Sequence, residues 1–100
     1  VNFDTAKEKV EKSESEWLDI RLPAENQSAH IKGCTHIPLI FLRIKIGTLD
    51  TNQHYILYCD TGRRSSSASY IMNERGFNTS LLEGGLKGVD QSELEGNDIT

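Results

Sequence analysis

The segment HYILYCDTGRRS, residues 54–65, decides the fold that this sequence predicts. Aromatic and aliphatic side chains dominate residues 54–59, and polar residues bound them on both sides, which is typical of a buried strand. A tight loop is predicted from Asp60 to Arg63. From about Arg64 to Arg75 the apolar residues share one stripe, and this pattern predicts a helix that ends at Gly76. A strand that passes through a short loop into a helix indicates an α/β fold.

The rest of the chain alternates short apolar runs with helical segments. Residues 39–46 fit the spacing of a helix and of a strand, and Pro38 before them and Gly47 after them favour the helix. Thr5 opens a capping-box pattern that predicts a surface helix. Strands are predicted at residues 17–20, 35–37 and 79–82, and helical segments at residues 5–13, 24–28 and 39–46. This order predicts a mostly parallel sheet, in which Cys59 lies at the carboxyl edge where ligands bind.

The composition predicts one small domain that needs no disulfide or metal site for its stability. The chain has 100 residues, of which 36% are hydrophobic, and this is enough to bury a core. Residues 1–89 are expected to form the domain, and the polar, acidic residues 90–100 are expected to form a frayed tail or a linker stub. Since the chain begins at Val1, we expect a piece of a longer protein or a trimmed chain.

Charge and hydropathy exclude two classes of partner. The formal net charge of -4 argues against nucleic acid as a partner, because phosphate binding needs a clustered cationic face. No apolar run approaches the length of a membrane span, and the first residues are charged, unlike the core of a signal peptide. Cys34 and Cys59 lack the spacing of a zinc site or a disulfide framework, so no metal or cofactor is expected. A reducing, cytoplasmic location follows from these features.

Cys59 is the candidate nucleophile. A thiol with an ordinary pKa of about 8.5 is mostly protonated at neutral pH, so the surroundings must favour the thiolate. Backbone N–H groups of a loop that enters a helix can converge on the sulfur, and the helix dipole adds partial positive charge. The alternative is that Cys59 is an inert, buried strand residue. Cys34 lies in no recognisable nucleophile setting, and an inert role is expected for it.

The loop after Cys59 supplies the candidate substrate-binding residues. Gly62 permits the backbone angles that the loop needs, and the two arginines favour the thiolate and can bind an anionic donor. Asp60 has two interpretations, since its carboxylate can cap the following helix or disfavour a dianionic donor relative to a thiol-borne persulfide. We expect the cap. The substrate-binding residues are Asp60, Thr61, Gly62, Arg63 and Arg64.

Residues 58–65, YCDTGRRS, resemble the active-site loop of rhodanese domains, whose pattern is Cys-x-x-Gly-x-Arg followed by Ser or a small residue. The similarity continues in WLDIR (residues 17–21), Glu25, His30-Ile31-x-Gly33, Ile37-Pro38, RGF (residues 75–77) and LEGG (residues 82–85). It covers residues 17 to 88. Two positions depart from the family, since Ala29 replaces a common Gly, and residues 86–89 replace a segment that often contains Trp.

The resemblance implies a rhodanese-like α/β fold, with a five-stranded, mostly parallel sheet and helices on both faces. It also implies a sulfurtransferase of the thiosulfate sulfurtransferase type. Cys59 would receive a sulfane sulfur from thiosulfate or a persulfide and pass it, through a Cys59 persulfide, to a thiol or cyanide acceptor. Structural roles are implied for Asp19, Arg21, Glu25 and His30.

Two other functions compete with sulfur transfer as interpretations of this loop. Tyrosine phosphatases need five residues between Cys and Arg to surround a phosphate, and this loop is one residue shorter, which disfavours phosphatase or arsenate reductase activity. A sensing or docking module of a larger protein, with covalently linked domains as partners, is the stronger alternative. Residues 39–59 resemble rhodanese domains at the carboxyl end of bacterial cyclic-nucleotide-binding proteins, although the chain has no nucleotide-binding motif.

Overall fold

The computed structural model describes residues 1–60 and 62–99, which form a parallel sheet flanked by helices. The helices are α1 (Phe3–Glu11), α2 (Pro23–Ser28), α3 (Leu42–Lys45) and α4 (Arg63–Glu74). The strands are β1 (Ser15–Asp19), β2 (His30–Ile31), β3 (Thr35–His36), β4 (His54–Tyr58), β5 (Asn78–Leu81) and β6 (Leu94–Glu95). Short 3₁₀ helices lie at Leu39–Phe41, Ile46–Thr48, Gly85–Gly88 and Gln91–Glu93.

The main sheet has the strand order β3-β1-β4-β5, and every neighbouring pair is parallel. This confirms the α/β class and the mostly parallel sheet. The sheet has four strands in the described chain, and not the five that were expected, because β2 pairs elsewhere. Its two residues form an antiparallel ribbon with β6, in which Ile31 lies opposite Leu94.

Side chains of β1 and β4 point alternately to the two faces of the sheet, and a hydrophobic core lies on each face. Leu18, Leu57 and Cys59 point to the face that α4 covers, where they pack with Ala68 and Met72 of that helix. On the other face the side chains of Trp17, Ile56 and Tyr58 pack with Ala6 of α1 and with Leu82 and Leu94. Because both faces are covered, β4 is apolar from Tyr55 to Tyr58.

The helices agree with their sequence patterns, with one correction. Helix α4 ends one residue before the expected position, and Gly76 follows it at φ +87°, with the Phe77 amide donating to the Met72 carbonyl. Residues 39–48 are helical, as a 3₁₀, α and 3₁₀ series. The cap of α1 is Asn2 and not Thr5, because the Asn2 side chain accepts a hydrogen bond from the Thr5 amide at 2.8 Å.

Residues 91–99 fold against the domain and do not fray. Leu94 is buried in the core, and the Asn97 and Asp98 amides donate to carbonyls of α2 at 2.7 and 2.9 Å. Few apolar residues in this segment signalled such packing, since the ribbon with β2 is a contact between distant parts of the chain. The domain boundary at residue 89 stays a prediction. Within the described residues, no helix has the length and apolar character that crossing a membrane requires.

The packing of α4 predicts the outcome of a matched pair of substitutions. Met72 is fully buried, so Met72→Ala should lower the free energy of unfolding by about 2 to 5 kcal/mol through lost burial and a cavity. Tyr70 lies on the outer side of the same helix and is 67% exposed, so Tyr70→Ala should change it by about 0.5 kcal/mol or less. Urea denaturation monitored by circular dichroism measures both. Equal effects would contradict this placement of the helix.

Candidate active site

Cys59 directly follows β4 at the carboxyl edge of the sheet, and its side chain is buried (0% exposed). Its sulfur faces both the core and the start of α4. The Gly62 amide lies 2.9 Å from Cys59 Sγ, and the Ser65 amide and Ser65 Oγ each lie 3.4 Å from it. Cys59 is buried, as the inert interpretation expected. The Gly62 and Ser65 amides both donate to its sulfur, while the thiol itself donates to Ser65 Oγ. Two amide donors that converge on the sulfur are what a nucleophilic thiolate needs.

Local backbone geometry explains why the amides face the sulfur. Gly62 caps α4 with φ +96°, a conformation that glycine adopts without the strain of a side chain. Ser65 lies in the first turn of α4, where backbone N–H groups have no acceptor within the helix. Its hydroxyl donates to the Gly62 carbonyl at 3.0 Å and so ties the loop to the helix. The loop and the first turn therefore act as one hydrogen-bond donor unit.

The turn at Gly84 and Gly85 packs against the backbone of Cys59 and Asp60. A Cβ atom at Gly85 would lie 1.8 Å from the Cys59 carbonyl oxygen and 2.8 Å from that of Asp60. The Leu86 amide donates to the same Cys59 carbonyl at 3.2 Å. Only glycine permits this close approach, so Gly85 lets the turn pack directly against the backbone of the candidate nucleophile.

The Arg64 guanidinium, which the sequence predicts to bind an anionic donor, points to a carboxylate on α2. Its guanidinium donates two hydrogen bonds to Glu25, at 2.6 and 2.9 Å. The hydrogen bonds from Arg64 lower the pKa of Glu25 to about 2. Arg63 is exposed at the first position of α4. Thr61, the remaining candidate, lies outside the described residues.

Asp60 does not cap α4, which corrects the preferred interpretation of this residue. The N-cap position belongs to Gly62 and carries no side-chain cap. The Asp60 carboxylate, which is 50% exposed, lies 3.4 Å from the guanidinium of Arg21 and 3.6 Å from that of Arg64. Partial burial and the neighbouring Glu25 carboxyl raise the pKa of Asp60. Asp60 is therefore a half-exposed carboxylate at the mouth of the loop.

A buried ion pair holds the edge of β1 beside this loop. Arg21 donates to both carboxylate oxygens of Asp19, at 3.0 and 2.9 Å, and its guanidinium lies 5.5 Å from the centre of the Tyr58 ring. Asn26 donates a further hydrogen bond to Asp19 at 2.9 Å. These bonds satisfy both buried charges, as burial requires. His30 contacts the Asn26 carbonyl oxygen and Glu95, so it links α2 to β6.

The second cysteine lies on the opposite face of the sheet. Cys34 packs beside the core that contains Tyr58, and Asn26 Nδ2 lies 3.8 Å from its sulfur. Burial raises the pKa of the Cys34 thiol, which disfavours its thiolate. The described part of the chain contains no cluster of His, Cys, Asp and Glu suited to a metal ion.

Three residues contribute to the site but were not predicted as site residues. They are Ser65, Gly85 and Glu25, the last as the partner of Arg64. Ser65 carried a signal, because it falls within the first helical turn after the nucleophile. Gly85 lies in a glycine pair that predicts a turn, but the contact with Cys59 joins segments far apart in sequence. No local pattern indicates the Glu25–Arg64 pair, whose members are 39 residues apart.

The chain is similar to known proteins over most of its length. The profile of the rhodanese-like domain family matches residues 2–92. Thiosulfate sulfurtransferase PspE of Escherichia coli (strain K12) is 34% identical over 82 residues, which are 80% of this chain and 79% of PspE. A tRNA sulfurtransferase of Haemophilus influenzae (strain PittEE) is 36% identical over 64 residues, which are 60% of this chain and 13% of that protein. The crystal structure of a rhodanese-related protein from Thermoplasma volcanium has a TM-score of 0.80 at 29% identity, covering 87% of this chain and 85% of that one.

The Glu25–Arg64 pair predicts a pH-dependent contribution to stability. Glu25 has a folded pKa of about 2, below its ordinary value of 4.5, so its contribution is fully present above pH 4.5 and is lost as the pH falls toward 2. At neutral pH, Glu25→Gln should lower the free energy of unfolding by about 1 kcal/mol, since the pair is partly exposed. This difference from the wild type should shrink through that window.

Urea unfolding at neutral pH and at several values between 4.5 and 2 measures this difference. Glu14→Gln is the matched control, because it removes an exposed carboxylate next to the amino end of β1. Its effect should stay within about 0.5 kcal/mol throughout. A Glu25→Gln difference that is constant with pH would show that the carboxylate contributes nothing through this pair.

Proposed function

Since this chain belongs to the rhodanese-like domain family, we propose that it is a sulfurtransferase in which Cys59 carries a sulfane sulfur as a persulfide. The observation that carries the proposal is the convergence of the Gly62 and Ser65 amides on Cys59 Sγ. Amides fixed in this way stabilise negative charge on sulfur without reorganising during the reaction. They would serve the thiolate before transfer and the persulfide after it.

In the first half-reaction, the Cys59 thiolate attacks the outer sulfur of the donor. A new S–S bond forms on Sγ, and the bond between the donor's two sulfurs breaks. The electron pair of that bond leaves with the remainder of the donor, which is sulfite for thiosulfate and a thiolate for an organic persulfide. No external oxidant or reductant is needed, because the sulfur is transferred at the oxidation level that it already has.

In the second half-reaction, a thiol or cyanide attacks the terminal sulfur of the Cys59 persulfide. The S–S bond to Sγ breaks and its electron pair returns to Sγ, which regenerates the thiolate. With cyanide the product is thiocyanate. The two half-reactions share one site, so ping-pong kinetics are expected.

Burial of Cys59 protects the sulfur during this cycle. A fully buried sulfur is shielded from bulk water and from stray nucleophiles, which protects the persulfide between the two half-reactions. Because β4 and the core close one side of the sulfur, donor and acceptor must reach it from the carboxyl edge of the sheet.

One observation favours the alternative role, in which the domain senses or docks within a larger protein. Glu25 binds the Arg64 guanidinium in two hydrogen bonds, so this cation is engaged within the domain and does not lie ready for an anionic donor. Turnover of thiosulfate and cyanide by the isolated domain distinguishes the two roles. A Cys59 that reacts with alkylating agents while turnover is absent would favour the module.

The persulfide proposal predicts opposite results for the two cysteines. Wild-type protein incubated with a sulfane-sulfur donor should gain the mass of one sulfur atom, and peptide mapping should place that sulfur on Cys59. Cys59→Ser should abolish both this gain and the transfer of sulfur to cyanide. Cys34→Ser is the control and should retain both, because Cys34 lies on the other face of the sheet. Transfer that survives in Cys59→Ser would overturn the proposal.

A further inference from the structure

The helical segment at residues 39–48 has an apolar outer face. Its inner face packs into the core through Leu42, which is fully buried. Ile40, Phe41 and Ile44 point away from the core and are 71%, 43% and 80% exposed. Ile44 lies four positions from Ile40 and three from Phe41, so the three side chains are neighbours on one side of the segment. Large apolar side chains are therefore concentrated on the solvent side of this helical segment.

Two cations flank these apolar side chains. Arg43 is three positions from Ile40, and Lys45 is four positions from Phe41, so each cation stands beside the apolar group. Both are exposed, and neither forms an ion pair with another described residue. The sequence from residue 33 to residue 49 contains no Asp or Glu. The resulting basic apolar surface consists of Ile40, Phe41, Arg43, Ile44 and Lys45.

The fold does not require this outer face to be apolar. The inner face of the segment supplies the contacts with the core, and the outer face of a surface helix is ordinarily polar. A contiguous group of exposed apolar side chains with a charged rim is typical of an interaction site. Covering the apolar side chains stabilises a complex, and pairing the cations selects an acidic partner. The local positive charge therefore indicates which chemistry covers the surface.

A second copy of this chain does not supply that chemistry. In a symmetric contact the surface meets itself, so the two cations of one copy would face those of the other. A head-to-tail contact needs an acidic face that is also apolar. The acidic helix α1 lacks one, because its Ala6 is buried and its Glu8 is paired with Lys12.

An anionic membrane also fits the surface poorly. Electrostatic recruitment to lipid takes clusters of about 4 to 8 Lys or Arg residues, and this surface has Arg43 and Lys45 alone. The formal net charge of -4 on the whole chain repels an anionic bilayer. A polypeptide partner with carboxylates placed beside apolar side chains matches the surface better than a lipid layer does.

We propose that the basic apolar surface is a docking site for an acidic, amphipathic polypeptide segment. Apolar residues of the partner cover Ile40, Phe41 and Ile44, and its carboxylates pair with Arg43 and Lys45. A helix whose apolar residues are three and four positions apart, with Glu beside them, has this complementarity.

The docking site goes beyond the proposed sulfur transfer and does not depend on it. The Leu39 amide donates to the Ile20 carbonyl at 2.9 Å, so the helical segment begins at the carboxyl end of β1. One end of the docking site therefore lies at the edge of the sheet that carries Cys59. Binding is measured without a sulfur donor, so failure of the docking proposal leaves the proposed function standing.

Two synthetic peptides of about 20 residues test the chemistry of the partner. Both are alanine-based helices with leucines three and four positions apart, and the positions beside the leucines are Glu in the acidic peptide and Lys in the basic peptide. Titration of isotope-labelled protein, followed by its amide chemical shifts, measures Kd and maps the contact. The acidic peptide should shift the amides of residues 40–45 and bind at least about 10-fold more tightly than the basic peptide at low ionic strength. Attraction to the net charge of the chain would give the opposite preference.

Substitutions separate the charged and the apolar parts of the surface. The double variant Arg43→Glu/Lys45→Glu should reverse the preference, so that the basic peptide binds more tightly than the acidic one. Ile44→Ser should raise Kd for the acidic peptide at least about 5-fold. Tyr70→Ser is the matched control, because it removes an exposed apolar side chain from α4, and it should leave both Kd values unchanged.

The titrations can overturn the proposal in several ways. It fails if the basic peptide binds the wild type as tightly as the acidic peptide, if neither peptide binds, or if the shifts lie outside residues 40–45. It also fails if the double variant keeps the wild-type preference. Co-sedimentation with phosphatidylglycerol vesicles would assign the surface to a membrane instead. Amide shifts of residues 40–45 that change on dilution without peptide would assign it to a second copy, and either result would refute an acidic polypeptide partner.

Discussion

The close contact between the Gly84–Gly85 turn and the loop after β4 is the constraint on which the site depends. The Gly85 backbone lies so near the carbonyl groups of Cys59 and Asp60 that no side chain fits there. This contact and the Leu86 hydrogen bond fix the loop from one side, while the first turn of α4 presents its amides from the other. The sulfur is thereby held between a rigid strand end and a helix terminus, where main-chain dipoles converge.

Paired charges join the elements around the loop. Arg21 and Arg64 are each engaged by a carboxylate, so they organise the carboxyl edge of the sheet. Arg21 joins β1 to the segment after α2, and Arg64 joins α4 to α2. These ion pairs hold the elements around the loop together. The Gly62 and Ser65 amides donate to the sulfur of Cys59.

The sequence by itself determined the parts of this protein that depend on neighbouring residues. The strand before Cys59, the helix after it and the preference for helix at residues 39–46 follow from periodicity, proline and glycine, which act over a few positions. Cys59 at the carboxyl edge follows from the same pattern. Tertiary structure alone decided that Glu25 takes Arg64, that Asp60 joins the ion pairs, and that β2 pairs with β6. These contacts join residues 4 to 65 positions apart. A charged side chain or an exposed strand edge could pair with several partners, and the packing of the folded chain determines which partner lies within reach.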